Sequence, residues 1–390
     1  MSTITTSAKR VVSIDILRGI IMIVMALDHA RDYFSNYRRY DPLDLEHVNI
    51  LLFFTRWITH FCAPVFVFLA GTSAFLSLSK GRTKKETSWL LFTRGLWLIL
   101  LEVTIVRFGW TFNVDYHLVV FQVIWAIGWS MLFLSILIFL PMPYITVVGL
   151  IIVFGHNCLD SIHAKNFGTN AGYWNFLHEQ ALVHFNTAYN GFFIYPIIPW
   201  IGVMALGYCF GTIFKKEEKE RNKWLYSIGF SAIALFIILR WLNIYGDPHP
   251  WAVQANGTTL LSFLKCEKYP PSLLYLLMTL GATITLLPIF EKMPGKFGRI
   301  VTVYGRVPMF YYILHIYLLH SMALITGLIL GVPTTVFTAN RALFDPNLQW
   351  GFPLGIVYLY WIVAVILLYL PCKWFMKYKQ QRKKWWLSYL

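Results

Sequence analysis

SIDILRGIIMIVMALDHARDYF, residues Ser13–Phe34, is apolar enough to cross a bilayer, yet Asp15, Arg18, Asp28, His29 and Asp32 interrupt it. A spanning helix needs ~20 mostly apolar residues. A charge near the bilayer centre costs ~2.5–3.5 kcal/mol on insertion scales, so residues of this kind face a cavity or a partner. Arg18 and His29 are eleven positions apart. At ~100° per residue they return to within about 20° of one face, and at ~1.5 Å per residue they stand roughly 16 Å apart along it. Asp15 lies three residues before Arg18 and Asp32 three after His29. Each is therefore placed to pair along the helix. The expected result is one polar stripe, with an ion pair at its start and a His–carboxylate pair, served by Asp32 or Asp28, at its end.

The rest of the chain reads the same way. It is 57% hydrophobic and 13% charged, whereas a soluble domain carries nearer a quarter charged residues. The net charge of +15 would point to nucleic acid in a soluble protein. Here the basic residues sit in short segments between apolar runs, so membrane topology explains them and no nucleic-acid partner is expected. Ten spans are expected, at about 11–34, 54–78, 89–110, 117–140, 144–156, 192–214, 224–244, 272–290, 301–328 and 352–376. The fold class is an all-α polytopic bundle forming a single domain over 1–390.

Charge sets the orientation. Lys9 and Arg10; Lys80, Arg82, Lys84 and Lys85; Lys215, Lys216, Lys219, Arg221 and Lys223; Lys292, Lys296 and Arg299; and the tail from Lys373 to Lys384 all fall on one side. The opposite loops Gly155–Gly191 and Gly331–Gln349 hold one basic residue each, Lys165 and Arg341. The positive-inside rule places both termini in the cytoplasm, as for a bacterial inner-membrane protein. Membrane lipid is thus one partner, and a homo-oligomer is compatible with the sequence. Five cysteines, Cys62, Cys158, Cys209, Cys266 and Cys372, show no metal-type spacing, and no residue is assigned to a metal. Cys158 and Cys266 both fall on the outer side, where a disulfide is chemically allowed.

The other intramembrane polar residues sort by depth. Arg94 and Arg306 join Arg18 on the inner half, while His60, Gln122 and His315 join His29 on the outer half. Pro64, one turn after His60, is expected to loosen the second span. Taken alone, His60 reads as a packed core histidine, and Gln122 or His320 as hydrogen-bonding glue between helices. Together, arginines suit a phosphate-bearing donor because their planar fork donates bidentately. Histidines suit proton removal near neutral pH. The expected reaction is transfer from a polyanionic donor below to an acceptor above.

The first helix, with its Arg, ten residues and His, resembles the transmembrane acyltransferase superfamily, including the acyltransferase-3 family. The stretch FCAPVFVFLAGTSAFL (Phe61–Leu76), the segment GRVPMFYYILH (Gly305–His315) and Gln122 more closely resemble the heparan-α-glucosaminide N-acetyltransferase catalytic domain and its bacterial relatives. That resemblance implies acyl transfer from acyl-CoA, commonly acetyl-CoA, to a glycan or other extracytoplasmic acceptor, with no permanently bound cofactor. It puts His29 at the position of a catalytic His and Arg18 at that of its Arg. The chain departs from the lysosomal enzyme of the family, which lacks a His at the place of His29, carries an Asp where His60 stands and uses a loop histidine. His47, in the corresponding loop, does not keep that histidine's spacing.

The catalytic set expected is His29 and His60 with Asp32 and Asp28; the donor-binding set is Arg18, Arg94, Arg306, Gln122 and His315. The alternative reading is a proton-coupled transporter using the same residues as a relay, for which the chain lacks the repeated halves common in such carriers. A purely structural membrane protein would need no such alignment.

Overall fold

The computed structural model describes residues 11–37, 41–45, 47, 49–79, 81–254, 257–293, 295–339, 348, 350–382 and 384–389. Lys9, Arg10, Lys80 and Arg341, which carry part of the charge argument, lie outside the described residues. The structure is 73% helical with 4% strand, which makes it all-α.

The helices are α1 (Val12–Phe34), α2 (Ile50–Thr59), α3 (Cys62–Leu78), α4 (Lys84–Leu101), α5 (Arg107–Thr111), α6 (Val123–Leu137), α7 (Met142–Gly155), α8 (Ala171–Leu177), α9 (Ile198–Phe210), α10 (Glu218–Leu242), α11 (Thr259–Leu264), α12 (Leu273–Glu291), α13 (Lys296–Arg306), α14 (Pro308–Ile329), α15 (Thr335–Thr338) and α16 (Leu354–Gln381). Among the described residues, eight helical segments are long and apolar enough to cross a membrane. The shorter α6 and the charge-bearing α1 fall outside that criterion.

Apolar sequence forces helix here because a bilayer offers no water to satisfy the backbone. Breaks occur where a polar group can take over the freed backbone atoms. Pro64 has no N–H, so the His60 carbonyl one turn earlier loses its helical partner. The Tyr275 hydroxyl donates to that carbonyl at 2.6 Å. The helix therefore divides between α2 and α3 at His60 and Phe61, one turn before Pro64 rather than after it. The ninth expected span also divides: Val307 is non-helical ahead of Pro308, and Arg18 Nη1 donates to the Gly305 carbonyl at 3.3 Å. Between α4 and α5 a π-helical turn, Glu102–Val106, widens the helix. Glu102 Oε2 there accepts from the Trp125 N–H at 3.0 Å, on the first turn of α6.

Two expected spans start late. Residues 117–122 and 192–193, expected in helices, instead fall in or beside strands β1 (Leu118–Phe121) and β3 (Asn190–Phe193), with β2 (Ala181–His184) between them in sequence. β3 is central, parallel to β1 and antiparallel to β2. The β-branched pair Val119–Val120 and the aromatics suit a pleated surface. Arg107 draws the preceding loop in by donating to the Asn113, Asp115 and Leu118 carbonyls. Helices α6 and α9 are accordingly shorter than expected at these ends. Cys158 and Cys266 are free thiols, the first exposed and the second buried. The disulfide allowed by the sequence is not formed.

Helix α1 is central and packs against α2, α3, α12, α13, α14 and α16. Its crossing with α13 is a backbone-to-backbone approach. A Cβ on Gly305 would stand 1.9 Å from the Asp15 carbonyl oxygen, and one on Gly19 would stand 2.1 Å from that of Val301. Only glycine fits at either point, as at other close crossings of membrane helices. This approach sets Arg306 beside Asp15 and Arg18.

Candidate active site

Two cavities meet inside the bundle. The first, about 580 Å³, is lined by Arg18, Arg94, Arg306 and Lys379 together with apolar side chains of α3, α4, α6 and α14. Its described lining contains no Asp or Glu. Arg18 Nη2 donates to Ser73 Oγ at 2.9 Å, which fixes one edge of the guanidinium. Asp15, buried behind the wall, lies 3.7 Å from Arg18 Nη1 and 3.5 Å from Arg306 Nε. One carboxylate shared by two guanidiniums at this range orients both without cancelling their charge.

The second cavity, about 350 Å³, is lined by His29, Asp28, Asp32, Arg31, Arg56, Gln122, Trp110, Gln180, Tyr195, Lys268 and Tyr269. Phe66 and Val123 line both cavities. The Arg18 cavity and the His29 chamber thus abut at these two side chains, with α1 running along both.

His29 does not pair with a carboxylate. Its Nδ1 lies 2.6 Å from His315 Nε2, and the ring planes are within 14°. The 4.9 Å between centroids is what such a contact gives for two imidazoles set end to end rather than face to face. His315 Nδ1 lies 3.1 Å from the Tyr311 carbonyl oxygen. A carbonyl only accepts, so Nδ1 of His315 carries the proton and its Nε2 offers the lone pair. His29 then donates from Nδ1, and its own Nε2 keeps a lone pair. His315 is fully buried, whereas His29 is half-buried and reaches the chamber. Trp110 packs edge-on against the His29 ring at 4.9 Å. A backbone carbonyl thus sets the tautomer of one histidine, and that histidine sets the other, as outer partners orient working imidazoles elsewhere.

The carboxylates expected to orient His29 are held by arginines. Asp28 accepts two bonds from Arg56 Nη1, at 2.9 and 2.8 Å, and lies 2.9 Å from Arg31 Nη2. Asp32 accepts from Arg31 at 2.8 Å. Their contribution is to neutralise the cations of the chamber. The physical reason is reach: Arg56, on the neighbouring α2, brings one charged nitrogen, Nη1, within hydrogen-bond distance of both Asp28 oxygens, a charge-assisted contact that a neutral imidazole does not match.

His60, expected near His29, is not brought into its chamber. It lies at the α2–α3 break with its ring buried and both ring nitrogens without a hydrogen-bond partner. It borders a smaller cavity with His249, Cys266 and Glu267, which adjoins the His29 chamber through Arg56, Lys268 and Tyr269. His47 pairs with Asp44 at 2.7 Å and lines neither cavity. His320 is buried, with its two nitrogens against the Gly109 and Phe337 carbonyls at 2.8 and 3.0 Å, so it ties α14 to its neighbours. Gln122, between β1 and α6, sits on the chamber wall rather than in the arginine cavity.

Arg56, Lys268, Tyr269 and Lys379 were not read as site residues from the sequence. Arg56 had a visible signal, a guanidinium inside FFTRWITH. Lys268 and Tyr269 come from a long loop, and nothing in the sequence sets their distance from α1.

A helical membrane bundle in which a cation-walled cavity abuts a chamber holding an oriented imidazole has the layout of a membrane-embedded group-transfer enzyme. The chain belongs to the heparan-alpha-glucosaminide N-acetyltransferase catalytic domain family, whose model matches residues 10–246, more than half of the chain. Arg306, His315 and Lys379 lie beyond the matched stretch. The resemblance to the acyltransferase-3 family is not shown by this match. No curated protein sequence matches the chain.

Proposed function

We propose that the protein moves an acyl group, acetyl in the first instance, from acyl-CoA in the arginine cavity to an acceptor in the His29 chamber. Family membership makes the chain a membrane transferase; the donor, the acceptor and the residue roles are our reading. The observation that carries it is the abutment of the two cavities at Phe66 and Val123.

The phosphates of CoA are taken by Arg18, Arg94 and Arg306, with Lys379 beside them, since forked guanidiniums bind phosphate oxygens through charge-assisted bonds. The thioester end points along α1 toward His29. An acceptor hydroxyl or amine attacks the thioester carbonyl while His29 Nε2 takes its proton. The tetrahedral intermediate then expels the CoA thiolate by breaking the C–S bond, and the imidazolium proton goes to that thiolate. Acceptor and acyl-CoA become acylated acceptor and CoA thiol, with charge and atoms balanced. His315 steadies the transient imidazolium by accepting from Nδ1. The side placement follows the charge pattern: donor at the basic, cytoplasmic end, acceptor at the loop-rich, extracytoplasmic end, in a bacterial inner membrane. The family name makes a glucosaminide a natural first acceptor to try.

The test is vesicle-reconstituted protein supplied with acetyl-CoA on the basic side and glucosamine or N-acetylglucosamine on the other, with release of CoA thiol as the readout. Acetylated sugar formed by wild type and lost in His29→Ala supports the proposal. Full turnover in His29→Ala removes His29 as the base. Proton-driven solute uptake without CoA turnover would replace the enzyme with a carrier.

A further inference from the structure

Away from both cavities, at the end of α7, lies a polar cluster the transfer reaction does not use. His156 begins a short 3-10 turn, His156–Leu159, directly after α7. Asp160 follows it, and His178 caps the C-terminus of α8. One potential ligand atom from each of His156, Asp160 and His178 lies within 4.8 Å of the others. His178 Nε2 is 3.1 Å from Asp160 Oδ1.

Two features separate this group from an ordinary surface cluster. The His156 ring is 2% exposed, and neither of its nitrogens has a hydrogen-bond partner; Nδ1 of His178, 3% exposed, has none either. A buried polar group without a partner is rare in native structures and calls for an explanation such as an ion. Second, Asp160 is already oriented from behind. Asn157 Nδ2 donates to Asp160 Oδ2 at 2.7 Å, and Asn157 Oδ1 accepts from the Leu273 N–H at 2.9 Å, which anchors the pair to α12. Such outer partners accompany metal-ligating carboxylates.

We propose that His156, Asp160 and His178 form a Zn²⁺ site. Two imidazoles and one carboxylate are a borderline-soft N/N/O set that suits Zn²⁺ better than Mg²⁺ or Ca²⁺, which prefer all-oxygen shells. Zinc–nitrogen bonds of about 2.0–2.1 Å in a tetrahedron put ligand atoms about 3.3 Å apart. The His178–Asp160 edge already has nearly that length, and His156 closes by side-chain rotation. The fourth position is left to water. The ion would replace the short-range pairing of His178 with Asp160 by a bond common to both and to His156. It would thereby fix the C-terminus of α8 to the end of α7. Gln180, two residues past His178, lines the His29 chamber, so the site would brace one wall of that chamber. This inference does not depend on the acyl-transfer reading.

The test uses the purified full-length protein in detergent, loaded with Zn²⁺, desalted and analysed for metal. One Zn²⁺ per chain is expected, falling at least tenfold in Asp160→Asn and in His178→Gln. Co²⁺ in place of Zn²⁺ should give the visible absorption of a tetrahedral site in wild type and not in the variants. Because His156 is deeply buried, the milder Asp160 and His178 substitutions carry the test. Each variant is accepted only if its thermal unfolding stays cooperative and matches chelator-treated wild type. Wild type without stoichiometric Zn²⁺, or variants that retain it, overturns the site.

Discussion

The two cavities differ in how they treat charge. The larger is walled by Arg18, Arg94, Arg306 and Lys379, and its described lining has no carboxylate. The smaller holds Arg31, Arg56 and Lys268 against Asp28 and Asp32, with the arginines and carboxylates locked together at 2.8–2.9 Å. A wall of cations favours an anion whatever its exact pose. A chamber in which two carboxylates offset most of the charge of three cations favours a less charged reactant, and leaves a single imidazole nitrogen to do acid–base work. The difference explains why one helix carries both an Arg and a His on one side: each serves a separate compartment, and the compartments share Phe66 and Val123.

That contrast can be broken from either side. The largest effect is expected in the chamber: His29→Ala should lower kcat about 10²–10⁴-fold, the usual worth of a positioned general base, with little change in KM for acyl-CoA. Steady-state kinetics in vesicles decide this. Next comes His315→Ala, which removes the acceptor that fixes the His29 tautomer. A loss of about 10–100-fold in kcat is expected, by analogy with other orienting partners. His315→Gln, whose amide oxygen also accepts, should recover part of it, whereas a merely space-filling role predicts no such recovery.

In the other cavity, Arg94→Ala and Arg306→Ala should act on binding. Each should raise KM for acyl-CoA about tenfold, the order expected for one charge-assisted hydrogen bond, and leave kcat nearly unchanged. A fall in kcat without a KM change would mean that the cavity does not receive the donor. The smallest effect on activity is expected at Tyr275→Phe, outside both cavities. It strands the His60 carbonyl that Pro64 leaves unpaired. Stability should fall by about 1–3 kcal/mol, measured by thermal unfolding in detergent, with kcat within about twofold of wild type.

How much of this was legible in the sequence depended on range. The Arg18–His29 face follows from helical periodicity within one segment, and the structure puts both residues on cavity walls along α1. The gathering of Arg18, Arg94 and Arg306 was legible because all three sit near the basic ends of apolar runs, where depth alone nearly fixes position. The pairing of His29 with His315 was not. Both histidines read as lying at a similar depth, but a local rule favours Asp32 at three residues' distance, whereas Arg31 and Arg56 take the carboxylates in the structure. His60 shows the converse. It lies at the α2–α3 break and borders the adjoining cavity rather than lining the His29 chamber itself. The strands β1 and β3 are hidden for a different reason: Leu118–Phe121 and Phe192–Phe193 are apolar like the helices that follow them, and only tertiary pairing tells the two apart.

The most direct test of the joined compartments is a cryo-EM structure of the full-length protein with acetyl-CoA bound. The expected result is phosphate density against Arg18, Arg94 and Arg306 and an acetyl thioester passing between Phe66 and Val123 toward His29 Nε2. Acetyl-CoA bound elsewhere, or a thioester walled off from His29 by those two side chains, would contradict the account.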